Sequence, residues 1–145
     1  MLGQETISWA GALGLTAAIG LIMVAAGIAV IVVSKRAADG RLKKNRLAGI
    51  RTKATLSSDE AWDAAHRAGL GPSIVGGWIS IATGIVPVLI GAVLALFDLA
   101  TAEQYMLVWT VLYVIGVAGL LVAVVLGAVN GNRAAKAVHN PDPLL

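Results

Sequence analysis

Three long blocks without a single charged residue dominate this sequence: residues 7–33, 72–97 and 105–129. Each is longer than the roughly 18–20 apolar residues that a helix needs to cross a hydrocarbon core about 30 Å thick. In lipid a backbone has no water to bond, so a crossing segment must satisfy its own amides and carbonyls, and an isolated one does so as a helix. The blocks therefore predict an all-α integral membrane protein with three transmembrane helices. The first block, about 40 Å long as a helix, must tilt or run into the headgroups. Only 13% of the 145 residues are charged, against about 25% in an ordinary soluble domain, and the segments outside the blocks are too short for a separate domain. We read residues 1–145 as one membrane domain with a connecting loop at 34–71. The first block lacks a basic leader and is too long for a cleaved signal peptide, so it is expected to be a retained span.

Charge sets the expected orientation. Nine of the eleven Lys and Arg residues fall in the loop, and Arg133 and Lys136 follow the third block. With three spans, all eleven lie on one side, and Glu5, Asp98 and Glu103 lie on the other. Short basic loops stay cytoplasmic, which predicts N-outside, C-inside. Trp9, Tyr105 and Trp109 sit near the outer block ends, where amphipathic rings favour the interface.

Function classes narrow accordingly. There is no cysteine, which excludes disulfides, haem-attachment motifs and cysteine-held metals. No Asp, Glu, Lys, Arg or His lies well inside a block, whereas pumps and intramembrane hydrolases usually need such groups. We expect a protein that is not an enzyme and carries no cofactor. Gly77, Gly84 and Gly91 recur at intervals of seven on one stripe of the second span, and Gly20 and Gly27 repeat that interval in the first. Small residues let helices approach closely in lipid. The stripe reads as packing among the chain's own helices, with a docking face for another subunit or a second copy as the alternative. Pro87 removes a backbone bond and frees the Thr83 carbonyl, predicting a kink. Tyr105, Trp109 and Tyr113 share a face, and the Tyr113 hydroxyl is expected to need a protein partner.

In the loop, residues 34–53 are basic, continue the first helix to about Gly40, and suit anionic lipid headgroups at about 1 kcal/mol per cation. Nucleic acid is not an expected partner, since no reading helix, zinc motif or stacking platform accompanies the charge. Ser57 and Glu60 have the spacing of a capping box. It predicts a short amphipathic helix at 58–68, ended by Gly69, Gly71 and Pro72 and anchored by Trp62 on the membrane or the span ends. Asp59, Asp63 and His66 fall on one face of that helix, a set that could bind metal or move protons. Only one histidine lies in the loop, so we read a capped, hydrogen-bonded helix with no metal site.

The stretch 45–69 resembles the signature of the SdpI family: an Asn, then Gly-Ile-Arg-Thr, a Thr-Leu pair, an acidic turn, Trp, and His-Arg-x-Gly. Asn45, Gly49, Ile50, Arg51, Thr52, Thr55, Leu56, Trp62, His66, Arg67 and Gly69 occupy it. Lys53 stands where a proline commonly follows in that family. The resemblance implies a multi-pass protein of the bacterial plasma membrane. The family's founding member gives immunity to a secreted toxin and signals by holding a repressor at the membrane. By that resemblance, Asn45, Gly49, Arg51, Thr52, Thr55, Trp62, His66 and Arg67 form a partner-binding loop, meeting another membrane protein or a cytoplasmic regulator. An accessory subunit of a transporter or envelope-building complex, and a small metal protein or enzyme using His66 and Asp63, are the alternatives.

Overall fold

The computed structural model describes residues 7–45 and 47–139; Glu5 and Arg46 of the charge pattern lie outside these. The chain forms three helices, α1 (Trp9–Ala38), α2 (Asp59–Leu96) and α3 (Ala102–His139). All three are long and apolar enough to cross a membrane, and each contains one of the three uncharged blocks. At 38 residues, α2 and α3 are each about 57 Å long and project well beyond a hydrocarbon core.

Both helix extensions lie at one end of the bundle, and it is the basic end. Lys35 and Arg36 occupy the last turn of α1, the loop follows, Arg67 sits in the first turns of α2, and Arg133 and Lys136 close α3. Asp98 and Glu103 are at the opposite, acidic end, in the tight α2–α3 connection and the first turn of α3.

α1 starts at Ser8, whose hydroxyl accepts from the Gly11 amide at 3.2 Å. It stops at Gly40, which has a φ of +71°, while the Arg41 and Leu42 amides turn back to the Arg36 carbonyl. The start of α2 corrects the sequence reading twice. Its cap is Ser58, not Ser57: Ser58 Oγ accepts from the Ala61 amide at 3.1 Å, and Ser57 Oγ instead donates to the Ala54 carbonyl. Nor is there a separate short helix. The segment 59–71 runs through Gly69, Gly71 and Pro72 straight into the span. Glycine breaks a helix only when an alternative conformation is rewarded, and here Gly69 is held by contact with α3. Pro72 removes only one amide from the ladder, and Ser73 Oγ donates to the nearby Gly69 carbonyl at 2.8 Å. Pro87 is likewise contained within α2. α3 is capped by a reciprocal pair: Thr101 Oγ1 accepts from the Gln104 amide, and Gln104 Oε1 from the Thr101 amide.

α2 is the central helix. It packs along both α1 and α3, which barely touch each other. The packing is built from small residues, while the large ones face outward: Leu21 and Leu107 are more than 70% exposed. That inversion is what lipid as solvent requires, because Leu gains little by leaving it and close backbone contact supplies the association energy. Gly84 lies against Gly20, and a Cβ at Gly77 would fall 2.9 Å from the Gly27 carbonyl oxygen. Ser80 Oγ donates across this seam to the Met23 carbonyl at 2.7 Å. Gly91, third in the stripe, faces α3, where a Cβ would meet the Tyr105 ring.

α1 meets α3 at the acidic end. Ala12 of α1 packs there with Ala102, Tyr105 and Trp109 of α3, and Trp9 stacks near Tyr105 with centroids 5.5 Å apart. The polar anchor of the aromatic set is Tyr105, whose hydroxyl donates to the Pro87 carbonyl at 3.0 Å. Tyr113 is half-buried and stacks on Trp109. At the basic end, residues 48–52 of the loop border a space that α1 and α3 also line.

Candidate functional site

The loop between α1 and α2 is fastened at several points, each traceable to a residue of the signature. Asn45 shapes its first bend. The side-chain oxygen accepts from the Leu47 and Ala48 amides at 2.8 and 2.9 Å, and the side-chain nitrogen donates to the Lys43 carbonyl. This is the local turn that Asn offers more readily than other residues.

Gly49 follows with a φ of +96°, a conformation that favours glycine. It has a second reason to lack a side chain: a Cβ there would collide with His66 Nε2 and approach Trp62. The backbone thus lies directly on two aromatic rings carried by α2. Trp62 is 1% exposed and its indole nitrogen donates to the Leu42 carbonyl at 2.9 Å. Its ring centroid is 4.1 Å from that of His66, one helical turn later.

His66 is 4% exposed and both ring nitrogens are engaged. Nε2 accepts from the Ile50 amide at 2.9 Å, and Nδ1 lies 2.8 Å from the Trp62 carbonyl. A nitrogen that accepts from an amide needs its lone pair, so the ring is neutral with its proton on Nδ1. Burial acts in the same direction, lowering the His66 pKa against smaller opposing effects from the Trp62 carbonyl and Asp63. With no lone pair left, this imidazole is not placed to bind metal. Among the described residues no group of three or more His, Cys, Asp or Glu side chains could hold an ion.

Beyond Ile50, two threonines close a compact polar knot. Thr55 Oγ1 accepts from the Thr52 amide at 2.8 Å and faces the Ile50 and Thr52 carbonyls at 2.8 and 3.1 Å, while Thr52 Oγ1 accepts from the Thr55 amide. Thr52 Oγ1 then donates to Asn132 Oδ1 of α3 at 2.7 Å. Thr55 is fully buried, and every one of its polar groups in this knot has a partner, the condition under which a buried network stabilises. Lys44 pairs with Asp59 at 3.2 Å, and the Glu60 carboxyl is held below its ordinary pKa by its own amide and by the Ser58 hydroxyl.

The structure separates the signature residues into two groups. Asn45, Gly49, Thr52, Thr55, Trp62 and His66 assemble the loop. Trp62 and His66 lie beneath it, both buried. Arg51 is exposed on the loop and Arg67 on α2. Gly77 and Gly84 face α1 and Gly91 faces Tyr105, so the stripe is turned inward.

Four residues of α3 escaped the sequence reading. Asn132 receives the Thr52 hydroxyl. Gly127 and Gly131 allow α3 to meet α2 at Gly69 and Ala65, and Ala135 packs with Ala61 and Ala65. Their spacing of four was a legible signal. Ile50 places its side chain between the helices, where a Cβ at Gly69 or Gly131 would strike its Cδ1.

Below the loop lies a cavity of about 500 Å³. α1 supplies one wall, α3 the opposite wall, α2 the floor with His66 and Ser73, and residues 48–52 the cover.

A family model described as the SdpI/YfhL protein family matches residues 41–129 of this chain, which covers the loop, α2 and most of α3. No curated protein and no solved structure matches it.

Proposed function

This chain belongs to the SdpI/YfhL protein family, and from that premise we propose that it is a non-catalytic protein of the bacterial plasma membrane that acts by binding another protein at its basic end. Immunity or signalling is the role that such binding would serve. The observation that carries this reading is the fastening of the loop to α2 through His66 and Trp62 and to α3 through Thr52. A loop so held presents Leu47, 88% exposed, beside the exposed cations Arg51 and Lys53. Such a surface suits a partner with an acidic rim around an apolar contact, since apolar anchors carry affinity and complementary charge steers approach.

The test is gentle purification from native membranes with mass spectrometry of what accompanies the protein. Leu47→Ser and Lys53→Ala should each release the co-purifying protein while leaving the melting temperature of the bundle unchanged. Retention of every companion by the double variant would sink the reading.

The same reading places the basic end in the cytoplasm and the N-terminus outside, on the grounds that all the Lys and Arg side chains among the described residues share one end. Lys44→Cys should then resist an impermeant thiol reagent in intact cells and react once the membrane is opened.

A further inference from the structure

We propose that the cavity beneath the loop is a binding site for one anionic phospholipid, with an acyl chain between α1 and α3 and its phosphate at Arg51. This site shares Arg51 with the outward surface of the loop, but it does not depend on which protein that surface meets.

The first support is its position. The apolar walls come from Ala29 and Val33 on α1 and Val124 and Ala128 on α3. These are the last turns of two uncharged blocks before the chain becomes polar, so the cavity lies where hydrocarbon gives way to headgroups. The second is its cause. α1 and α3 touch little along their length and cluster at the acidic end, and toward the basic end the small side chains of Ala29 and Ala128 line the open space. An apolar space open to lipid is filled by lipid, because an empty one forfeits the dispersion contacts of its walls. Its volume of about 500 Å³ falls within the range of about 300–1,000 Å³ typical of small-molecule sites.

The third support is polarity at the rim. Arg51 and Ser34 both line the cavity, and Arg51 is also exposed. A guanidinium matches phosphate through paired donors, and a hydroxyl can add one more. All the Lys and Arg side chains among the described residues lie at this end, which favours a headgroup of net negative charge over a zwitterionic one.

The experiment uses the purified full chain in neutral detergent with phosphatidylglycerol or phosphatidylcholine carrying a photoreactive group on one acyl chain. Adducts are mapped by peptide mass spectrometry. Phosphatidylglycerol should label the peptides around Ala29–Val33 and Val124–Ala128 several-fold more than phosphatidylcholine. Arg51→Gln should remove that preference. Ala128→Phe, which fills the cavity, should lower labelling several-fold at both walls, and Ala29→Phe provides a second filling variant, with the melting temperature of each reporting an intact bundle. Equal labelling by the two lipids overturns the proposal. So does labelling spread evenly over the outward faces of the helices, or labelling that a folded filling variant leaves unchanged.

Discussion

The Ile50 amide donates to His66 Nε2 at 2.9 Å, so one backbone bond of the loop depends on the protonation state of one ring. The ring is neutral in the folded protein, and burial lowers its pKa below the ordinary 6.5. The unfolded loop therefore binds the proton more readily. Its folded state gains stability that is fully present above about pH 6.5 and is lost as pH falls through the lowered folded pKa. Hydrogen exchange at the Ile50 amide should be slow at pH 7.5. After correction for intrinsic rates, it should lose protection toward pH 5. His66→Gln should show little pH dependence over that range. His66→Ala should cost about 1–3 kcal/mol by stranding the amide, read as a lower melting temperature and faster proteolysis within the loop.

Three glycines should respond to alanine in three ways. Gly49→Ala combines a positive φ with a collision against His66, and should cost at least about 2 kcal/mol. Gly40→Ala has a positive φ but open space, and should cost about 1–2 kcal/mol. Gly71→Ala is helical with nothing within 4 Å, and should stabilise by about 0.5–1 kcal/mol. Thermal unfolding of the three purified variants checks the order.

Thr52 and Asn132 are 80 residues apart in sequence and bonded at 2.7 Å. A double-mutant cycle with Thr52→Val and Asn132→Ala should return a coupling of about 0.5–1.5 kcal/mol. Additive effects would mean that the loop does not grip α3.

Gly84 abuts Gly20 backbone to backbone, so Gly84→Leu should separate α1 from α2 and lower the melting temperature markedly. Loss of a co-purifying protein in that variant would report unfolding rather than a lost contact. Leucine at Gly71, which faces open space, is the matched control and should leave the bundle assembled.

The spans were legible because in a membrane one physical demand, internal backbone bonding, overrides local preference. That same demand explains the misreading at Gly69, Gly71 and Pro72. In water this trio would end a helix, whereas here Gly69 is a contact point for Gly127 and the helix continues. The Ser57-to-Glu60 spacing suggested a cap one residue early, since two adjacent serines compete for the position and only the backbone conformation at Ser58 decides. Several motif residues converge on the loop, but nothing in their order showed that Trp62 and His66, carried on α2, lie underneath it while Arg51 is exposed. That division follows from which face of α2 meets the returning chain. Asn132 was invisible for a related reason: its partner lies 80 positions earlier, and pairing at that distance is set by the packing of α3 on α2.

The grip of Thr52 on Asn132 also imposes an order on biosynthesis. The loop leaves the ribosome before α2 and long before the final turns of α3, so it must wait, unfinished, while two more spans insert. A helix made after the loop supplies the catch, and only a chain translated through Asn132 and correctly threaded can latch it. A truncated or misthreaded product would carry a loose, protease-sensitive segment, giving quality control a simple mark by which to recognise it.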